Sequence, residues 1–345
     1  MVEWGVARQI ARVASRSEES PDLGLDVTAM ARGLEEAVIV HTGLRPDGAI
    51  PPVEVVTREE WAAANLTTLA EMLEPVTNRL DERLTVAGPL AGVLRAGTGV
   101  TLATQVGLLS GYLARHVLGQ YELSLLAPAA RPRLLLVALN LDRAARSLDV
   151  DRDSFLRWVT IHELVHALQF GGVPWLRGHL GGLLREYIDT VDADGPAAGG
   201  RLPAVPGPTE LLGRLREGGV GALVQSPAQR DILERVQVAM AVVEGHAEHV
   251  MDALGPDLVP QHAGLRAALE RRRADRPPVQ RILMQLIGMD MKMRQYRDGK
   301  AFCDAVAAKG GPAAFVELWR SPGALPAMDE LTRPELWLER ITSEH

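Results

Sequence analysis

The sequence predicts a mostly α protein (α+β) with a small β element. Apolar residues recur at helical spacing along nearly the whole chain, strand-like stretches are few and short, and Gly and Pro clusters break the pattern at helix-length intervals. The 345 residues are 47% hydrophobic and 23% charged, which suffices for a sizeable buried core and excludes a disordered or multispanning membrane chain.

Taken in order, amphipathic helices are expected from Trp4 to Ser15, Thr28 to His41 and Arg58 to Leu84, separated by Arg45-Pro46-Asp47-Gly48 and Pro51-Pro52. Val53 to Val56 reads as a short strand. Ala96 to Ala114 is uncharged and close to membrane-span length, yet it is rich in Gly and Thr, contains Gln105 and Ser110, and lacks aromatic anchors at its ends. It is expected to be a buried core helix, with Gly107 and Gly111 four apart admitting a close neighbour. Arg133 to Leu141, bounded by Pro132 and a charged turn, is the best candidate for a buried strand. Asp151 or Asp153 can cap a helix that runs through Phe155, Trp158, Ile161, Val165 and Leu168 to Phe170 and stops at Gly171-Gly172. Trp175 to Ile188 forms the next helix, and residues 192–208, rich in Gly, Pro and Ala, form a flexible loop. Ser226-Pro227 opens a long helix to Leu254, closed by Gly255-Pro256. A helix from Val279 to Asp298 and short helical pieces to Trp337 complete the chain.

Composition narrows the function. The formal net charge of −7, the absence of an arginine block and the 4% aromatic content give no phosphate-binding surface and no stacking platform, so nucleic acid is not an expected partner. Cys303 is the sole cysteine, which excludes an internal disulfide or a Cys-rich metal cluster and fits a reducing compartment. Arg8, Arg12 and Arg16 interrupt the apolar residues of the amino terminus, so no signal-peptide run is present. Cytoplasm is the expected compartment and no membrane is an expected partner. P-loop, dinucleotide and nucleophile-elbow motifs are missing.

The chemistry sits in His162-Glu163-Leu164-Val165-His166, an HExxH pattern inside an expected helix. Residues four apart stand one above the other on a helix, so both imidazoles can reach one zinc ion, and Glu163 beside them can move a proton from a coordinated water to a leaving group. A catalytic zinc takes three protein ligands. Glu244, in Val242-Val243-Glu244-Gly245-His246-Ala247-Glu248-His249, is the candidate third: a glutamate in an apolar helix is costly to bury unless paired or on a metal, and Gly245 beside it lets two helices approach closely. Glu248, one turn on, can orient a ligating histidine by accepting its outward N–H. His179, His246, Glu248 and His249 are the other candidates should Glu244 not be the ligand. Lys292 and Tyr296, four apart on one helical face, are candidates for oxyanion stabilisation, with Tyr296 the preferred catalytic partner of Glu163; a helix end with basic residues favourable to its dipole is the other reading.

Glu244-Gly245-His246-Ala247 after HExxH resembles the zincins with a glutamate third ligand, although the interval from His166 to Glu244 is far longer than the helix-turn-helix those enzymes use. More closely, the chain is similar to a family of uncharacterised zincin-like hydrolases, some of them associated with biosynthesis of a deazaflavin coenzyme. The matching stretches are Leu109 to Gly111, Val117 to Tyr121, Trp158 to Phe170, Pro174 to Arg177, Glu244 to Asp252 and Lys292 to Phe302. The resemblance implies a single zincin-like metallopeptidase fold over residues 1–345, with a helical N-terminal portion at 1–87 and a metal-binding core at 88–345. It implies Zn2+ as cofactor. The expected function is a zinc-dependent metallopeptidase or amidase acting on a peptide or amide-containing substrate; the alternative is a non-catalytic zinc-binding scaffold in coenzyme metabolism.

The purified protein is therefore expected to hold about one tightly bound zinc per chain, abolished by His162→Ala or His166→Ala. Elemental analysis of chelator-free preparations checks it, and a zinc-free wild type would end the metal-site reading.

Overall fold

The computed structural model describes residues 2–17, 21–24, 26–85, 91–126, 131–193, 226–274 and 289–343. Two compact units are interleaved along the chain. The first takes Met1–Glu36, Ala49–Ala167 and Asp257–Leu265; the second takes Ala37–Gly48, Leu168–Pro256 and Arg266–His345.

In the first unit, β1 (Val53–Val56), β2 (Gly119–Glu122) and β3 (Arg133–Val137) form one sheet in the order β1-β3-β2. β1 runs parallel to β3 with Val53 opposite Leu134, and β2 runs antiparallel to it with Gly119 opposite Leu136. Leu134 to Val137 are wholly buried, the condition of a central strand covered on both faces. The expected strand to Leu141 is shorter: at Val137 the chain passes directly into α5 (Ala138–Leu148). Asn140 in the first turn of α5 is buried and fully engaged. Its amide donates to the carbonyls of Ala114 (2.8 Å) and Val117 (2.6 Å), and its oxygen accepts from Arg58 Nε at 2.7 Å.

Helices α1 (Trp4–Ser15), α2 (Val27–Thr42), α3 (Arg58–Thr85) and α4 (Ala91–Ala114) match the periodicity within a few residues where it was read. Ala7 and Ala11 of α1, Trp61, Ala62 and Leu66 of α3, and Ala103 and Ala114 of α4 join Leu135 and Val137 in one apolar cluster. α4 is not buried all round, contrary to expectation. Its inner face is made of small residues (Ala103, Gly107, Ser110, Gly111, Ala114), while Leu102, Leu108, Leu109, Tyr112 and Leu113 are exposed. The reason is the approach of α1: a Cβ on Gly107 would stand 2.7 Å from the Ala7 carbonyl oxygen, and one on Gly111 would meet the Ala14 Cβ. Close backbone contact selects small side chains inward and turns the bulky ones out. No helix among the described residues is long and apolar enough to cross a membrane.

The second unit is helical. α7 (Leu176–Ala193), α8 (Pro227–Leu258), α9 (His262–Ala274), α10 (Met289–Leu318), α11 (Met328–Thr332) and α12 (Pro334–Ser343) supply most of it. α8 runs past Gly255-Pro256 instead of closing there. Pro256 cannot donate to the Asp252 carbonyl, so the helix gives up one bond within its last two turns. α10 bends at Gly311, where φ is +63°. Trp337, wholly buried, donates its indole N–H to the Ala324 carbonyl at 2.7 Å and packs edge-on against Phe302. The expected loop at 192–208 falls outside the described residues from 194 onward, and so does the start of the helix expected from Val279.

α8 and α10 meet backbone to backbone. A Cβ on Gly245 would lie 2.2 Å from the Gly299 carbonyl carbon, and one on Gly299 would lie 2.0 Å from the Ala241 carbonyl oxygen. Neither obstacle is a flexible side chain that can swing aside. Gly299→Ala should therefore cost about 3 kcal/mol or more, at or beyond the upper end of overpacking penalties. Gly182→Ala, mid-helix in α7 with nothing near its would-be Cβ, should stabilise by about 1 kcal/mol from helix propensity. Denaturant midpoints compare the two, and equal midpoints would refute the crossing.

Candidate metal centre

α6 (Arg152–Gly172) carries the HExxH motif. It starts at Asp151, whose Oδ2 accepts from the Ser154 backbone N–H (2.8 Å) and hydroxyl (2.7 Å); these bonds hold the Asp151 carboxyl below its ordinary pKa. Phe155, Leu156, Val159, Ile161, Leu164, Val165 and Leu168 are all nearly inaccessible, so the helix is buried on most of its circumference. His166 and Glu163 are therefore desolvated, at 9% and 5% exposure. The Nε2 atoms of His162 and His166 lie 3.0 Å apart. Two imidazoles on one tetrahedral zinc, each at 2.0–2.1 Å, hold their nitrogens roughly 3.3 Å apart, a few tenths of an ångström from what is seen.

Glu244 completes the group. His162, His166 and Glu244 each offer one ligand atom, and these atoms all lie within 4.8 Å of one another. Two nitrogens and a carboxylate oxygen form a donor set that zinc accepts. The local register between α6 and α8 is set by Gln169, one turn beyond His166. Its side-chain amide, wholly buried, donates to the carbonyl of Val243 at 2.8 Å and lies 3.1 Å from His246 Nδ1. Val243 adjoins Glu244, so this bond fixes the stretch of α8 that bears the carboxylate. The sequence reading missed Gln169, although a glutamine within an apolar helix face must find partners when buried, and that signal was available.

Glu163 is held from the other side. Its Oε2 accepts the Tyr121 backbone N–H at 2.8 Å. In the β2–β3 ladder the Val137 N–H donates to the Leu118 carbonyl, so by alternation Gly119 and Tyr121 direct their backbone groups to the outer edge of β2. Glu163 lies along that edge, and Gly119 makes room for it: a Cβ there would stand 2.8 Å from Glu163 Oε1. β3 is paired on both sides, and the outer edges of the sheet belong to β1 and β2.

The remaining candidates are distributed elsewhere. Glu248 stands one turn beyond Glu244 and is half-buried. His246 is wholly buried beside Gln169, His249 donates from Nδ1 to Asp304 Oδ1 at 2.8 Å, and His179 packs edge-on against Trp175. Lys292 and Tyr296 fall in α10, with side chains outside the described residues. Cys303 is fully buried, which pushes its thiol well above the ordinary pKa and makes it no nucleophile.

Comparison with known proteins agrees with this geometry. No curated protein matches the chain. A crystal structure from Chloroflexus aurantiacus, described as "a putative hydrolase with a novel fold", is similar over 99% of both chains with 26% identity and a TM-score of 0.73. The family of zincin-like metallopeptidases matches residues 2–338. With that match spanning nearly its whole length, the chain belongs to the zincin-like metallopeptidase family.

Proposed function

We propose that the protein is a zinc-dependent hydrolase, a metallopeptidase or amidase, with His162, His166 and Glu244 as ligands and Glu163 as general base. The observation that carries the reading is the convergence of the two Nε2 atoms and the Glu244 carboxylate beside a buried Glu163. When bound, zinc supplies Lewis-acid polarisation of the scissile carbonyl and makes a water acidic enough to ionise near neutrality. The chain's own part is orientation and proton movement. Glu163 takes the proton from the attacking water and later delivers it to the leaving amine, and the Tyr121 N–H keeps its carboxylate turned in place. The alternative, a structural zinc scaffold, calls for four protein ligands, and the group among the described residues has three.

Glu163→Gln should keep zinc and fold, since an amide oxygen still accepts from Tyr121, while lowering hydrolysis by about 10²–10⁴. Glu244→Gln should weaken zinc binding, and Glu248→Ala should do so by roughly 10–100-fold if it orients a ligating histidine. Zinc occupancy by elemental analysis, together with cleavage of a peptide library, reads all three. Loss of metal in Glu163→Gln with full retention in Glu244→Gln would reverse the assignment.

Glu163→Ala separates the structural role from the chemical one. It removes the acceptor of a buried N–H, so it should destabilise the fold by about 1–3 kcal/mol while Glu163→Gln leaves stability nearly unchanged. Equal denaturant midpoints would show that the bond to Tyr121 contributes nothing.

A further inference from the structure

A second cluster of histidines lies in the helical unit. His41, at the end of α2, and His249, on α8, line a cavity of about 140 Å³ together with Val40, His246, Val250, Phe315 and Val316. Glu244 and His249 are five residues apart, about 140° round the helix, so this cavity opens on a different face of α8 from the carboxylate assigned to the catalytic ion.

We propose that His41 and His249 form a second site for a divalent transition metal of the nickel or copper type. Two observations carry it. The ring centroids are 6.3 Å apart. With nitrogen-to-metal distances of 2.0–2.1 Å, two imidazoles sharing one ion have centroids roughly 5.2 Å apart at a tetrahedral angle and roughly 6.4 Å apart when trans, so the spacing fits a trans pair on a square-planar or tetragonal ion. His249 Nδ1 donates to Asp304 at 2.8 Å, which commits its proton to that side and makes Nε2 the ligating atom. A carboxylate behind a histidine is the usual support of a metal ligand, since it fixes the tautomer and raises basicity.

The surrounding charges favour a cation over an anion as occupant. Lys300 donates to Asp304 at 2.6 Å and sits 3.1 Å from Asp252, and Arg266 pairs with Asp252 at 2.9 Å. Both cations are thus committed to carboxylates, and neither is among the residues lining the cavity. Burial opposes ionisation of Asp304, but hydrogen bonds from Lys300 and His249 outweigh it and hold the carboxyl below its ordinary pKa. Partial desolvation and the neighbouring His249 lower the pKa of His41, keeping a lone pair for coordination at neutral pH. The pair supplies two nitrogens, and water fills the remaining positions, so the site is weaker than the three-ligand centre and fills only when metal is added.

The test uses the full chain with its tight zinc in place, dialysed against micromolar copper(II). Wild type should take up a second equivalent, with nitrogen hyperfine structure in its electron paramagnetic resonance spectrum. His41→Ala and His249→Ala should each abolish that uptake while zinc content stays unchanged, and Asp304→Asn should weaken it by roughly 10–100-fold. His162→Ala should lose the zinc and still bind copper at the second site, so failure of the catalytic assignment and failure of this one give different results. His41 is solvent-accessible, so His41→Ala keeps the test available even if His249→Ala fails to fold. Wild type stopping at one metal, or the His41→Ala/His249→Ala double variant still taking up two, overturns the proposal.

Discussion

Burying the Glu163 carboxylate is the constraint around which the first unit is arranged. A carboxylate at 5% exposure needs hydrogen-bond donors, and none of the apolar side chains along α6 can supply one. The donor comes from the backbone of β2, whose outer edge turns the Tyr121 N–H toward α6. Gly119 follows from this, because any side chain there would occupy the space of the carboxylate. β3 pairs on both sides, in the order β1-β3-β2, although β2 precedes β3 in the chain. A single buried carboxylate thus accounts for a glycine and for the use of a strand edge.

The other side of α6 solves a different problem. Metal ligands on two helices must hold their spacing to a few tenths of an ångström, and apolar packing alone is non-directional. Gln169 supplies direction through its bond to the Val243 carbonyl. Behind α8, the Gly245–Gly299 crossing removes the usual cushion of side chains, so α8 rests on backbone. A helix held by a directional bond in front and by hard contact behind has little freedom to slide, and that rigidity is what a preorganised site needs.

Features encoded within one or two turns of helix were legible in the sequence, and features that depend on distant partners were not. HExxH, the Asp151 cap, the helix of α1 and the strand at Val53–Val56 all follow from local spacing, and Glu244 could be singled out because a charge in an apolar helix is anomalous. β2 was missed because Gly-Gln-Tyr-Glu carries neither alternation nor β-branched residues; its conformation comes from pairing with β3. The strand at β3 was drawn too long because Leu139 and Leu141 are as buried as the residues before them, and an apolar run has no period to mark the switch to helix. In α4 the spacing of Gly107 and Gly111 marks the face that α1 approaches, while hydrophobicity alone does not show that the leucines stay outside. The Tyr121 N–H has no signature at all, since every residue but proline owns one.

The junction of β3 and α5 constrains the length of the chain. Val137 ends the strand and Ala138 begins the helix, so no loop separates them. Loops absorb insertions because their residues have slack, whereas here each residue has an assigned direction. One extra residue after Val137 would turn the start of α5 by about 100° and swing Asn140 off the Ala114 and Val117 carbonyls and Arg58 together. Of all the connections described, this one tolerates substitution of side chains far better than any change in count, and the helix register behind the sheet is inherited directly from the strand before it.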